Sequence, residues 1–292
     1  MADLTRRAFL QVSGIAFTAG TVLPWGLEQL IPPTNVVVGR TLRPTRIYST
    51  PDGTITQTLL PDSVLKIKPW DRAWYVSEHG YVARHDVQPM YITGNAHPLS
   101  MPGLIEVRAP AAPVHMYADA ASAVITRIGH GGVLYALEAL PDTRGQIGWY
   151  QVANADQAPI GWTQATRWCA ANMNESARII DRITIERKQN LLTAFAGEDA
   201  LANLVLNVGS DTSSGVYGIS KRQPTVHYSN ATETIYGAPW CLMVSNHLPI
   251  MGAYWHNDFE TRRRSPTQIE LTPQAARWLY AHVAERASVE IV

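Results

Sequence analysis

YWHNDFETRRRSPTQIELTPQAARWLY, Tyr254 to Tyr280, is the stretch on which the reading of this chain turns. It opens on an aromatic strand end, passes through a polar loop carrying Arg262-Arg263-Arg264, and closes on Thr272-Pro273. Thr is a favoured helix N-cap and Pro a favoured first helical residue, so a helix starts there. Ala275, Ala276, Leu279 and Val283 follow at helical spacing and give that helix an apolar face that packs on a sheet.

Working upstream, RIIDRITIERKQNLLTAFAGEDALANLVLNVGS (from Arg178) reads as three strands, with turns at Lys188–Asn190 and Gly197–Asp199. Alternation is clear in Ile183 and Ile185, and again in Leu204, Leu206 and Val208. GVYGISKR and PWCLMVS add further strands. Residues 177–292 therefore form a β-sandwich with one principal helix.

Ahead of it lies an internal repeat. One copy contains GRTLRPTRIYSTPDG, SVLKI and AWYVSEHGYVARHDV, and the other IEVRAPAAPVHMYADA, GVLYALEAL, GWYQV and PIGWTQATRW. Each has a basic-Pro opening, a Tyr (Tyr48, Tyr117), a Val/Leu strand, a Trp-Tyr strand (Trp74-Tyr75, Trp149-Tyr150) and a Gly-aromatic step (Gly80-Tyr81, Gly161-Trp162). Short alternating strands between Gly, Pro and Asp turns describe small β-barrels at 39–92 and 104–168. They resemble tandem bacterial SH3-like modules, which implies binding to wall polymer or packing against a catalytic domain. Their aromatics read first as core and rim packing. His79, His85, His97, His115 and His130 show no metal spacing and are expected at the surface.

Composition bounds the rest. With 292 residues there is core enough for two or three small domains, and the 24 basic and 24 acidic side chains cancel. A neutral chain has no global field for nucleic acid or an anionic membrane surface. Cys169 and Cys241 permit at most one disulfide and form no zinc pair. LTRRAFLQVSGIAFTAGTVL, with Arg6-Arg7 ahead of a short apolar run, looks like a twin-arginine export signal, and a Pro-rich linker follows to residue 38. The expected location is extracytoplasmic, in the cell envelope. Membrane contact is expected only through this segment if it stays uncleaved.

The C-terminal stretches together closely resemble the L,D-transpeptidase (YkuD-like) family. TSSGVYGI (from Thr212) stands where the family has Thr-Pro-Thr-Gly-x-Phe, and MGAYWHNDF (from Met251) where it has His-Gly-Thr-Tyr-Trp-His-Asn-Asp-Phe. SPTQIELTPQAARWLYAHV (from Ser265) stands where it has Ser-His-Gly-Cys-(apolar)-Asn-Leu and the Pro-started helix. The resemblance implies a peptidoglycan cross-linking enzyme in which a Cys thiolate attacks a stem-peptide carbonyl, a His activates it and backbone N–H groups hold the oxyanion.

At those positions this chain has other chemistry. The nucleophile's place holds Gln268, the preceding Gly's place Thr267, the second His's place Pro266 and the upstream base's place Met251; Ser265 is kept and Glu270 replaces the Asn. An amide side chain is no acyl-transfer nucleophile, a thioether is no base, and Pro offers no N–H. Catalytic residues are accordingly expected to be absent, and so are a metal and a cofactor. Tyr254, Trp255, His256, Asn257 and Arg264 are the candidate substrate-binding residues. Expected partners are stem peptides, wall polymer or a wall-enzyme partner.

Three other groupings could supply chemistry: Cys241 as nucleophile, Ser265 with His256 and Asp258 as a hydrolase set, and His247, His256, Asp258 and Glu260 as metal ligands. A buried strand cysteine, the missing strand-turn-helix elbow and a spacing foreign to zinc sites count against them in turn. The principal expectation is an inactive wall-binding homologue. The alternatives are an enzyme with a rearranged site and a structural protein with no wall ligand.

Overall fold

Alternating burial shapes the strands. In Val64–Pro69, Leu65 and Ile67 are buried while Lys66 and Lys68 face solvent, the signature of a strand covering a core on one side. The computed structural model describes residues 15–16, 37–91, 101–171, 178–229, 234–244, 248–259 and 268–292. The expected export signal and linker lie outside these, apart from β1 (Ile15–Ala16), whose backbone pairs with Leu204 and Asn203, and Val37–Val38, which open the next strand rather than continue a linker.

The chain is mainly β, as expected. The first repeat comprises β2 (Val37–Thr41), β3 (Thr45–Tyr48), β4 (Ile55–Leu59), β5 (Val64–Pro69), β6 (Trp74–Ser77), β7 (Gly80–Ala83) and β8 (Val87–Tyr91). The second comprises β9 (Gly103–Val107), β10 (Ala111–His115), β11 (Val124–Gly129), β12 (Val133–Pro141), β13 (Ile147–Ala153), β14 (Pro159–Gln164) and β15 (Trp168–Ala170). Their strand orders, β4-β3-β7-β6-β5-β2-β8 and β11-β10-β14-β13-β12-β9-β15, are the same sequence of positions. Each has a 3₁₀ turn before its last strand, Arg84–Asp86 and Ala165–Arg167.

The repeated Gly-aromatic step has a steric cause. A Cβ on Gly80 would lie 2.4 Å from the Tyr48 carbonyl oxygen, and one on Gly161 would lie 2.3 Å from that of His115. Register also corrects the repeat. Tyr48 faces Tyr81 and His115 faces Trp162, so the equivalent of Tyr48 is His115 rather than Tyr117. His115 and His130 are buried rather than at the surface. The His115 ring lies edge-to-face on Trp149, with Nδ1 3.0 Å from the Ser122 carbonyl, while His130 Nδ1 is 3.3 Å from that of Ala109.

The body comprises β16 (Ile180–Glu186), β17 (Leu191–Ala196), β18 (Asp199–Val208), β19 (Gly215–Ser229), β20 (Thr234–Val244), β21 (Leu248–Gly252), β22 (Ile269–Leu271), helix α1 (Pro273–His282) and β23 (Val283–Ile291). The sheet runs β1-β18-β17-β16-β23-β19-β20-β21-β22, and β18 also pairs with β22, so it closes on itself. β16 and β23 are parallel neighbours, with Ile183 opposite Val289.

Helix α1 starts as the sequence demands. Thr272 Oγ1 accepts a hydrogen bond from the Ala275 N–H at 3.2 Å, with Pro273 in the first turn. It packs on β21 and β22. It ends at His282, so Val283, read above as helical, instead opens β23 with extended backbone. Trp278, Tyr280 and Ala281 are buried along with the expected face, so more than one side of the helix is enclosed. Among the described residues no helix is long and apolar enough to cross a membrane.

By contacts the chain divides into two units. One is Met1–Ile92, Asn174–Arg222 and Cys241–Val292; the other is Thr93–Met173 and Gln223–Trp240. The first repeat thus belongs with the body. The second belongs with the tip of the β19–β20 hairpin, an arm that runs on past Arg222, the end of the strand GVYGISKR as the sequence reads it.

Candidate functional site

Of the motif positions, Met251 lies on β21, Glu270 lies on β22, and Gln268 immediately precedes β22. β22 lies between β21, which it pairs in parallel, and β18, which it pairs antiparallel. Register sets Met251 and Asn207 on either side of Glu270. Because the strand is flanked on both edges and covered by α1, Glu270 is buried at 2% exposed, as are Gln268 just before it (3%) and Met251 on β21 (1%). The Gln268 carbonyl accepts from the Gly209 N–H at 2.8 Å, which ties position 268 into the backbone network.

Glu270 has a partner that the motif comparison does not foresee. Its Oε2 lies 3.0 Å from His256 Nε2, and both side chains are shut off from solvent. The tautomer follows from the other ring nitrogen. His256 Nδ1 accepts the Asp258 backbone N–H at 3.1 Å, so the ring proton sits on Nε2 and is donated to Glu270. Both ring nitrogens are therefore committed, and the ring is packed 4.7 Å from Phe259. A charged residue alone between Ile269 and Leu271 is the sequence signal for such a pair, since a buried carboxylate needs a hydrogen-bonding partner.

The remaining candidates separate. Tyr254 is buried, which pushes its phenol up, and its backbone carbonyl accepts from Arg40 Nη2 of the first repeat at 3.0 Å. Trp255 is partly exposed and stands edge-to-face on Tyr254, with centroids 5.2 Å apart. The Asn257 amide does not face Glu270's surroundings. It donates to the Val87 carbonyl (2.8 Å), the Arg84 carbonyl (3.0 Å) and the Tyr75 hydroxyl (3.3 Å), all in the first repeat. Arg40 itself is buried; loss of water depresses its pKa, while Asp62 at 3.0 Å and Tyr254 act the other way.

Arg262, Arg263, Arg264, Ser265, Pro266 and Thr267 lie outside the described residues, as do His247 and Glu260. The serine-hydrolase and metal groupings therefore rest partly on residues outside the description. Cys241 is within it, on β20 at 0% exposure, and burial pushes its thiol up to about 12. A nucleophilic cysteine requires the opposite shift. Cys169 belongs to the other unit and its Sγ–H points at the Glu106 carbonyl, 3.7 Å away. Neither cysteine is in a disulfide.

No family model and no curated protein sequence matches the chain. Solved structures do. The structural neighbours are L,D-transpeptidases. One from Mycobacterium smegmatis is 13% identical with a TM-score of 0.36, the match covering 66% of this chain and 100% of that one. One from Stackebrandtia nassauensis is 13% identical with a TM-score of 0.34, covering 40% of this chain and 57% of that one. The catalytic domain of the Enterococcus faecium enzyme is 12% identical with a TM-score of 0.34, covering 39% of this chain and 98% of that one. This chain thus spans little more than half of the Stackebrandtia protein.

Proposed function

We propose that the chain is an exported, wall-associated protein on an L,D-transpeptidase-like body, that positions 251 and 268 of its catalytic motif have been absorbed into the core, and that it binds peptidoglycan stem peptides or a wall partner without turnover. The observation that carries this reading is the sealed His256–Glu270 pair beside Met251 and Gln268. Where a thiolate and its base would need access to substrate, there is a thioether, an amide and a histidine whose two nitrogens are both occupied. The two repeats are SH3-like in this reading, and Trp255 and Arg264 are the leading ligand contacts.

Two measurements on the purified full chain test it. Incubation with muropeptides at high protein concentration is expected to yield neither cross-linked nor carboxypeptidase products, and any product that disappears on Cys241→Ala or His256→Ala would show an active, rearranged site. Co-sedimentation with isolated sacculi is expected to retain the protein. A chain that stays in the supernatant is a structural protein with no wall ligand.

A further inference from the structure

Because the two repeats share one strand order, their residues can be matched by register. Arg40 stands opposite Val64 and Gln88, and Glu106 opposite Val133 and Cys169, so Arg40 corresponds to Glu106 and Val64 to Val133. By the same pairing Val87 corresponds to Trp168. The repeats differ most in chemistry at the positions that meet other parts of the chain.

In the first repeat the Arg40 guanidinium bridges Asp62 and the Tyr254 carbonyl, and the Val87 carbonyl takes the Asn257 amide. The second repeat has a carboxylate at the matching place, and Trp168 in place of Val87, its indole N–H donated to Thr163 Oγ1 at 3.0 Å. A carboxylate at position 40 would meet only acceptors, the Tyr254 carbonyl and Asp62. The second repeat's residues therefore do not fit the Tyr254–Asn257 strand end.

The converse holds at the other edge. Val64 is 52% exposed, whereas its counterpart Val133 is 0% exposed. What covers Val133 is the hairpin tip. Thr225 Oγ1 donates to the Val133 carbonyl, and Gly237, at φ +69°, passes so close that a Cβ there would sit 2.8 Å from that oxygen.

We infer that the repeats have diverged into two modules held through different faces: the first docks by its Arg40 face on the body's Tyr254–Asn257 strand end, the second by its Val133 edge on the 223–240 hairpin tip, and the charge at positions 40 and 106 decides which repeat fits which place. The first module is on this account a fixed wall beside His256 rather than a freely swinging ligand binder. The inference stands whether or not the protein binds peptidoglycan.

Hydrogen–deuterium exchange on the full chain tests it. Arg40→Glu places the second repeat's residue in the first. It is expected to speed exchange about tenfold or more in both 84–91 and 254–258, the loss of a charged hydrogen bond being worth at least that, while 180–196 and 133–141 hold their protection. Gly237→Ala is expected to do the reverse, loosening 133–136 and 223–226 and leaving 84–91 unchanged. If Arg40→Glu changes neither segment, or only one of them, the docking is wrong. Should that variant lose protection throughout, Asn257→Asp decides. Joint loss in 84–91 and 254–258 supports the docking, and loss confined to 254–258 overturns it.

Discussion

Removing Glu270 is the most direct probe of the sealed site. In Glu270→Ala the His256 Nε2–H, now 3.0 Å from an oxygen, would lose that acceptor in a site shut off from solvent. Leaving a buried neutral N–H without its acceptor costs about 1–3 kcal/mol, and the lost packing of the Glu270 side chain adds to that. Glu270→Gln keeps a carbonyl oxygen that accepts the same proton, so only the charge assistance is lost, about 1 kcal/mol. His256→Phe with Glu270→Leu removes both polar groups and keeps volume. It is expected to recover most of the loss and to lie within about 2 kcal/mol of the parent, because a buried pair exchanged for apolar side chains is often close to neutral. With His256→Phe and Glu270→Leu as the single variants, the coupling in the double-mutant cycle should then be about 2–3 kcal/mol. Urea unfolding of the parent, the three Glu270 variants, His256→Phe and the double variant, compared at constant m, gives each term. The reasoning is refuted if Gln costs as much as Ala, or if the double variant is simply the sum of the singles. Either result would mean that the pair is not the contact holding β22 and the His256 segment together.

Other predictions follow from the same geometry. Gln268→Cys yields no cross-linked muropeptide, since the new thiol is buried with Met251 where a base would be needed; product formation from this single change would end the reading of a lost site. Cys241 loses its proton more readily in the unfolded chain, near 9.0, than in the fold, at about 12. The folded state thus binds the proton more tightly. Stability is unaffected below the lower value and falls as pH rises from one to the other, a slope that Cys241→Ala should remove from alkaline unfolding curves. In a thiol assay near neutral pH, Cys169 should react in the native protein and Cys241 only in urea. Thr272→Ala removes the acceptor for the Ala275 N–H and should cost about 1 kcal/mol in thermal or urea unfolding.

Much of this was legible in the residues. Alternation in Ile183 and Ile185 and in Leu65 and Ile67 gave strands, and Thr272-Pro273 gave the helix start, because these depend on local sequence and one-sided burial. The repeat was legible too, down to the Gly80 and Gly161 steps that a neighbouring carbonyl makes necessary. The far half of β19 was not. Lys221-Arg222-Gln223-Pro224 has no apolar alternation, and Thr225 is buried by the second module rather than by its own sheet. Val283 fits a helical face as well as a strand, and only its pairing with Ile180 decides between them. Asn257 reads as a ligand contact from its motif. Its role as a docking amide depends on Tyr75, Arg84 and Val87, about 170 residues away and beyond any local pattern. The His256–Glu270 pair was signalled by a lone acid in an apolar strand, but the identity of its partner was not.

The parallel pairing of β16 with β23 has a consequence in time. The first strand of the body acquires one of its two neighbours only from a segment about a hundred residues later, after β17 to β22 and the helix have been made. β16 and β17 can close as a hairpin as soon as they emerge, but the other edge of β16, with Ile183 and Ile185, stays an open template until β23 arrives. The body should therefore close late and slowly. A chain stopped before Val283 would keep its early hairpin and expose that edge, and such fragments are expected to aggregate rather than to persist as a smaller fold.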